Sequence, residues 1–153
     1  MIWEDEITPE LTKLLTVAGW FPERHFDATQ WMTILQDEGF KGNPAAQAIL
    51  ESFGGLSVHL PPAGINPYPH ELRFDPLRAA SGEADRAEGF YDAIGIYLFP
   101  IGEEVGNNSA IWVGDDGQFY IGMEFGLYHL GKSFGLAMHQ LAFPMSPLAI
   151  VAN

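Results

Sequence analysis

The chain contains no cysteine. That excludes a disulfide scaffold, a thiolate metal site and a cysteine nucleophile together. Positive charge is scarce too: 7 Lys and Arg stand against 20 Asp and Glu, for a net charge of -13. Such a surface repels nucleic-acid phosphates and anionic lipid, and it attracts basic partners. No apolar run approaches the roughly 20 residues that span a bilayer. The start, Met1-Ile2-Trp3-Glu4-Asp5-Glu6, is acidic where a secretory signal needs a basic region and then an apolar run. The expected location is the cytoplasm, with no membrane and no direct nucleic-acid contact.

Catalytic signatures are equally sparse. There is no phosphate loop, no dinucleotide fingerprint and no basic-aromatic patch. Gly131-Lys132-Ser133-Phe134-Gly135 matches the nucleophile elbow G-x-S-x-G, but no Asp or Glu follows Ser133. The one later histidine, His139, falls on the helix that Ser133 would cap, so capping is the expected role of that serine. No two of His25, His59, His70, His129 and His139 stand four apart, the spacing that puts two metal ligands on one helical face. Glu103-Glu104 and Asp115-Asp116 offer oxygen donors to a hard cation, although paired acids in loops are ordinarily turn chemistry. The reading is of a protein with no catalytic residues, no cofactor and no metal, and a small metal-dependent hydrolase stands as a distant alternative.

What the chain does have is a core. Apolar residues make up 47% of its 153 positions and aromatics 13%, enough for one folded domain. The first third carries helical periods. Thr8-Pro9 opens a helix with Leu11, Leu14, Leu15 and Ala18 on one stripe and Gly19 as its stop. Asp27 with Gln30 suggests a capping box for a second helix, with Trp31, Ile34 and Leu35 inward and Gly39 closing it. Asn43-Pro44 starts a third, which ends at Gly54-Gly55.

After Gly55 the period changes to two. Leu56, Val58 and Leu60 mark a strand, the proline-rich stretch 61–69 a loop, and Leu72 and Phe74 a short strand closed by Asp75-Pro76. A helix through Ala84, Ala87, Phe90, Tyr91 and Ile94 follows, then a strand from Ile96 to Phe99 stopped by Pro100. Ser109 to Gly114 and Gln118 to Met123 flank Asp115-Asp116-Gly117; a two-residue Asp116-Gly117 turn sets Trp112 against Ile121 and Ala110 against Met123. Ser133 caps a last helix with Leu136, Ala137 and Leu141 inward, and the apolar tail Leu148-Ala149-Ile150-Val151 is expected to dock. The expected fold is α+β: a single domain, 1–153, with N-terminal helices packed on a mainly antiparallel sheet.

Several of these segments together resemble the SUKH superfamily of bacterial immunity proteins, and within it the third family. The likeness lies in Ala18-Gly19-Trp20 followed by Pro22 and Arg24, and in Phe53-Gly54-Gly55-Leu56. It continues in Phe74-Asp75-Pro76, in Leu98-Phe99-Pro100-Ile101-Gly102-Glu103, and in Asp116-Gly117 followed by Phe119-Tyr120. The resemblance is strongest over 18–141; the apolar tail departs from the pattern. It implies a non-catalytic antidote that binds and neutralises a cognate polymorphic toxin, typically a nuclease or a nucleic-acid deaminase. A general protein-interaction or regulatory module is the alternative on the same fold. Gly19, Trp20, Arg24, Phe53, Gly54, Gly55, Pro100, Gly102 and Gly117 are expected to be fold determinants. An arginine in a tight inter-helix loop, like Arg24, ordinarily ties that loop to a carboxylate or to helix-end carbonyls.

A nuclease presents basic residues to phosphate, and an acidic inhibitor complements that surface. Between Arg86 and Lys132 there is no Lys or Arg. Glu103, Glu104, Asp115, Asp116 and Glu124 in that gap are the expected contacts with a toxin whose active-site surface is basic.

Overall fold

A computed structural model describes residues 7–106, 108–123 and 126–153. In α1, Pro9–Val17, the Thr8 hydroxyl accepts from the Leu11 amide, a cap worth about 1 kcal/mol. Leu11 and Leu15 are buried, and Gly19 takes the left-handed φ of 110° that turns the chain out of the helix. In α2, Thr29–Glu38, the N-cap is Ala28 rather than Asp27. Asp27 instead folds into a turn, its carboxylate accepting from the Thr29 amide at 3.0 Å, and Met32 is buried beside Leu35. Helix α3, Pro44–Phe53, is capped by Asn43 and buries Ala46, Ile49, Leu50 and Phe53.

Strands β1, Ser57–Leu60, and β2, His70–Arg73, pair antiparallel. Asp75-Pro76 then opens a further short helix, α4, Pro76–Ala80: the Asp75 carboxylate accepts from the Leu77 and Arg78 amides, both at 3.1 Å, with Pro76 at the first helical position. Helix α5, Ala84–Ile94, follows and ends on left-handed Gly95.

Strand β3 runs Leu98–Val105, straight through Pro100. The expected stop fails because the pairing with β4, Ser109–Gly114, shifts register between Pro100 and Gly102, a bulge that accommodates a residue without an amide hydrogen. Strand β5, Phe119–Met123, returns beside β4 in a register one residue from that expected: Trp112 faces Tyr120 and Ala110 faces Gly122. The turn holds three residues, Asp115-Asp116-Gly117, with the Gly117 amide donating to Gly114 O at 3.0 Å and Gly117 at a φ of 78°. This is the tight turn with a left-handed third residue, and one extra turn residue moves every cross-strand pair.

Strand β6, Gly126–Gly131, leads through Ser133 into α6, Phe134–Ala142. The docking tail is strand β7, Ala149–Ala152, on the edge beside β6. The sheet is antiparallel with its seven strands in sequence order, β1 to β7. All six residues of β4 are buried, so helices cover both faces there. Phe53 stacks on Trp20, Phe74 and Phe134, while Trp112 meets Phe40 and Phe90. Leu136, expected inward, is 59% exposed; the buried residues of α6 are Phe134, Gly135, Ala137, Met138, Leu141 and Ala142.

Candidate functional site

Six of the signature residues, Gly19, Trp20, Arg24, Phe53, Gly54 and Gly55, meet where α3 gives way to β1, while Pro100 and Gly102 stand in β3 and Gly117 in the turn after β4. Trp20 Nε1 donates to Ser52 Oγ at 3.0 Å, and its ring stacks on Phe53 at 5.6 Å. Arg24 donates from Nη1 to Ser52 O at 2.9 Å and from Nη2 to Gly54 O at 2.7 Å. Those carbonyls end a helix and lack intrahelical partners, which the guanidinium fork supplies. A side chain at Gly54 would strike Leu50 O and the Phe26 ring, and one at Gly102 would strike Arg73 O. These contacts brace the junction between α3 and β1.

The acids chosen from sequence fall into separate groups. Glu103 and Glu104 leave β3 opposite Ala110 and Ser109, whereas Asp115 and Asp116 follow the far end of β4. Five strand steps separate Ser109 from Gly114, roughly 17 Å. Glu103 is only 16% exposed and lies 3.5 Å from Arg73 and 3.7 Å from Arg78. Glu104 is 13% exposed and 3.7 Å from His70 Nε2. The gap in basic residues along the chain is therefore closed in space from β2 and α4. Asp116 is tied into its turn, accepting from the Gln118 amide at 3.0 Å and from the Tyr120 hydroxyl at 2.9 Å. Burial first, and then that bond to a carboxylate, hold the Tyr120 hydroxyl far above the usual phenol range. Asp115 is exposed, its amide donating to Tyr97 O at 3.0 Å. Glu124 lies outside the described residues.

The Asp115–Tyr97 bond leads into a groove of about 370 Å³ between the end of α2 and α5. Asp85, Glu88 and Asp92 line it from α5, and Glu38 lines it from α2. Positions 85, 88 and 92 share one helical face, while Ala87, Phe90 and Ile94 pack on the core. All three α5 carboxylates are exposed, and among the described residues none has an ion-pair partner. Glu38 accepts from the Ser81 hydroxyl at 3.0 Å and from the Gly82 amide, which fixes the entry of α5. At the other end Tyr91 and Tyr97 stack at 4.0 Å and 11°. Lys41 Nζ lies 4.6 Å from the Tyr97 ring centroid, so a cation already sits on that aromatic wall. The spacing of Asp85, Glu88 and Asp92 was readable in sequence; Glu38, from another helix, was not.

The cations are mostly engaged elsewhere. Arg24 holds carbonyls, Arg73 and Arg78 face Glu103, and Arg86 faces Glu83 and Met123 O. Ser133 Oγ accepts from the Leu136 amide at 3.3 Å and caps α6. Among the described residues no group of three or more His, Asp or Glu is placed to hold a metal ion. No helix among them is long and apolar enough to cross a membrane.

No curated protein and no solved structure matches the chain. The sequence model of one family, described as SUKH-3 immunity protein, matches residues 7–142, from before α1 to the end of α6. The chain therefore belongs to the SUKH-3 immunity protein family, whose members' implied role is to neutralise a toxin.

Proposed function

We propose that this protein inhibits a toxin with a basic active-site surface, a nuclease or a nucleic-acid deaminase, by covering that surface with its acidic face and without catalysis of its own. The observation that carries the reading is the groove beside α5. Exposed Asp85, Glu88 and Asp92 stand on one helical face, with Glu38 across the groove and Asp115 and Asp116 beyond its tyrosine end. Carboxylates without internal partners attract a basic partner at long range and raise its association rate. Glu103 and Glu104 already face Arg73, Arg78 and His70. They lie at the other end of β4, away from the groove, and are not assigned to the contact. Trapped between basic loops of a toxin, the Tyr91–Tyr97 pair would add the aromatic area that interface centres favour.

The test is association kinetics with the toxin encoded beside it, at several salt concentrations. Reversing Asp85, Glu88 and Asp92 to lysine should slow association about tenfold or more at low salt and flatten the salt dependence. Unchanged association would remove the acidic face from the mechanism. A partner that proves acidic would remove the nuclease reading as well.

A further inference from the structure

The one cation in the groove beside α5 sits on an unexpected partner. Glu38, Asp85, Glu88 and Asp92 line that groove together with Lys41. Yet Lys41 has no ion pair among the described residues. Its Nζ lies over the Tyr97 ring instead, 4.6 Å from the centroid. A positive group is thus held on an aromatic face while the carboxylates around it stay uncompensated.

That face is built in advance. Tyr91 backs Tyr97, their rings 4.0 Å apart at an angle of 11°. The Tyr91 hydroxyl is held above the ordinary phenol range, first by its hydrogen bond to Tyr97. From the other side the Asp115 amide fixes the Tyr97 carbonyl at 3.0 Å. A stack ordered before a partner arrives loses little freedom when it is covered. Glu88 stands one turn before Tyr91 on α5, and Asp92 one turn after Glu88, so carboxylates flank the rings.

This surround fits a guanidinium better than the ammonium now in it. An ammonium is a point charge on a flexible stem, and over a ring it leaves the rim unbonded. A guanidinium is planar: lying flat on a ring, it still aims its N–H groups sideways at carboxylates.

We infer that the tyrosine end of the groove receives one arginine side chain of the basic partner, and that Lys41 is the place-holder it displaces. The inference rests on the reading of the α5 groove as the docking face, and it names the group that enters there. The exchange leaves the charge on the aromatic face unchanged, since one cation departs as the other arrives. Lys41 is exposed, so its ammonium swings into water. Lys41 therefore weakens binding at this point, although its removal would leave the groove emptier.

The free protein tests this with N-acetyl-arginine amide as the probe and N-acetyl-lysine amide beside it. Selective labelling of tyrosine lets nuclear magnetic resonance follow the rings, assigned with Tyr91→Phe and Tyr97→Phe. Saturable shifts are expected at Tyr91 and Tyr97, at lower concentration for the arginine probe than for the lysine probe. Lys41→Met should tighten the arginine probe about threefold or more. Lys13→Met removes the same charge from α1, which does not line the groove, and should leave the titration unchanged. The inference is overturned if Lys41→Met protein shows no saturable shift, or if the two probes bind alike. Equal tightening by Lys13→Met overturns it too, because net charge alone would then explain the effect. The docking reading fails separately. Lysine reversals of Asp85, Glu88 and Asp92 that slow toxin association, while the probe leaves Tyr97 unmoved, sink the arginine site and spare the docking face. A probe that shifts Tyr97, while the reversals leave toxin association unchanged, supports the arginine site and sinks the docking face.

Discussion

Arg24 shows how much a single side chain can carry without touching a partner. It satisfies two helix-end carbonyls at once, from a loop that precedes α2. Arg24→Gln should cost roughly 2 kcal/mol, from the loss of charge-assisted bonds and the exposure of unmatched carbonyls. Arg24→Lys should recover only part, since an ammonium cannot reproduce the fork. Urea denaturation of the three proteins checks both statements; equal midpoints would show that the carbonyls find water instead. Tyr120 makes a prediction about pH. Its folded hydroxyl stays protonated far above the phenol range, while in the unfolded chain it ionises near about 10. The unfolded state then binds fewer protons than the native one, so stability falls as pH rises beyond that point. Tyr120→Phe should lose about 1 kcal/mol near neutrality with the bond to Asp116, and should show a shallower fall at alkaline pH. A fall as steep as that of the wild type would place its origin in another group.

Among the elements, those with local punctuation were legible. Thr8-Pro9, Asn43-Pro44 and Ser133 each cap the helix expected of them, and Gly39 and Gly95 end theirs in left-handed geometry. The misreadings arise where one signal serves two structures. Asp-Pro closes a strand in one setting and caps a helix in another, and Asp75-Pro76 does both here. Pro100 stops an ordinary strand, but here the strand continues, with its pairing to β4 shifting register just after Pro100. The hairpin depended on counting Asp115 as strand or as turn, a single-residue ambiguity that periodicity could not settle because both faces of β4 are buried. The candidate site was half legible for a related reason. Acids on one helix announce their face by spacing, whereas the arginines that face Glu103 arrive from β2 and α4, and His70 meets Glu104 from the start of β2, which only the fold reveals. That difference yields a test. Glu103→Lys with Glu104→Lys should destabilise the protein by roughly 2 kcal/mol or more, by placing like charge beside Arg73 and Arg78 and removing the carboxylate that faces His70. The α5 reversals should leave the midpoint of unfolding nearly unchanged, because exposed charges contribute little. Thermal melts of the two variants separate a structural acid pair from a docking one.

At the scale of the whole molecule, charge divides the surface by task. The arginines are spent on holding carbonyls and half-buried acids, which leaves the groove beside α5 negative. The order of the strands has a consequence of a different kind. Each strand is hydrogen-bonded only to the strands before and after it in the chain, across α4 and α5 between β2 and β3 and across α6 between β6 and β7. A sheet whose strands pair in chain order needs no crossed connection, so less chain entropy is lost before its strands meet than in a sheet with crossed strands. Stopped-flow refolding should show a dominant phase on the millisecond scale, faster than for sheets with crossed connections. A slow dominant phase would mean that docking of the N-terminal helices limits the rate. An antidote protects its cell only from the moment it is folded, and a sheet that can be laid down strand by strand as it leaves the ribosome shortens that unguarded interval.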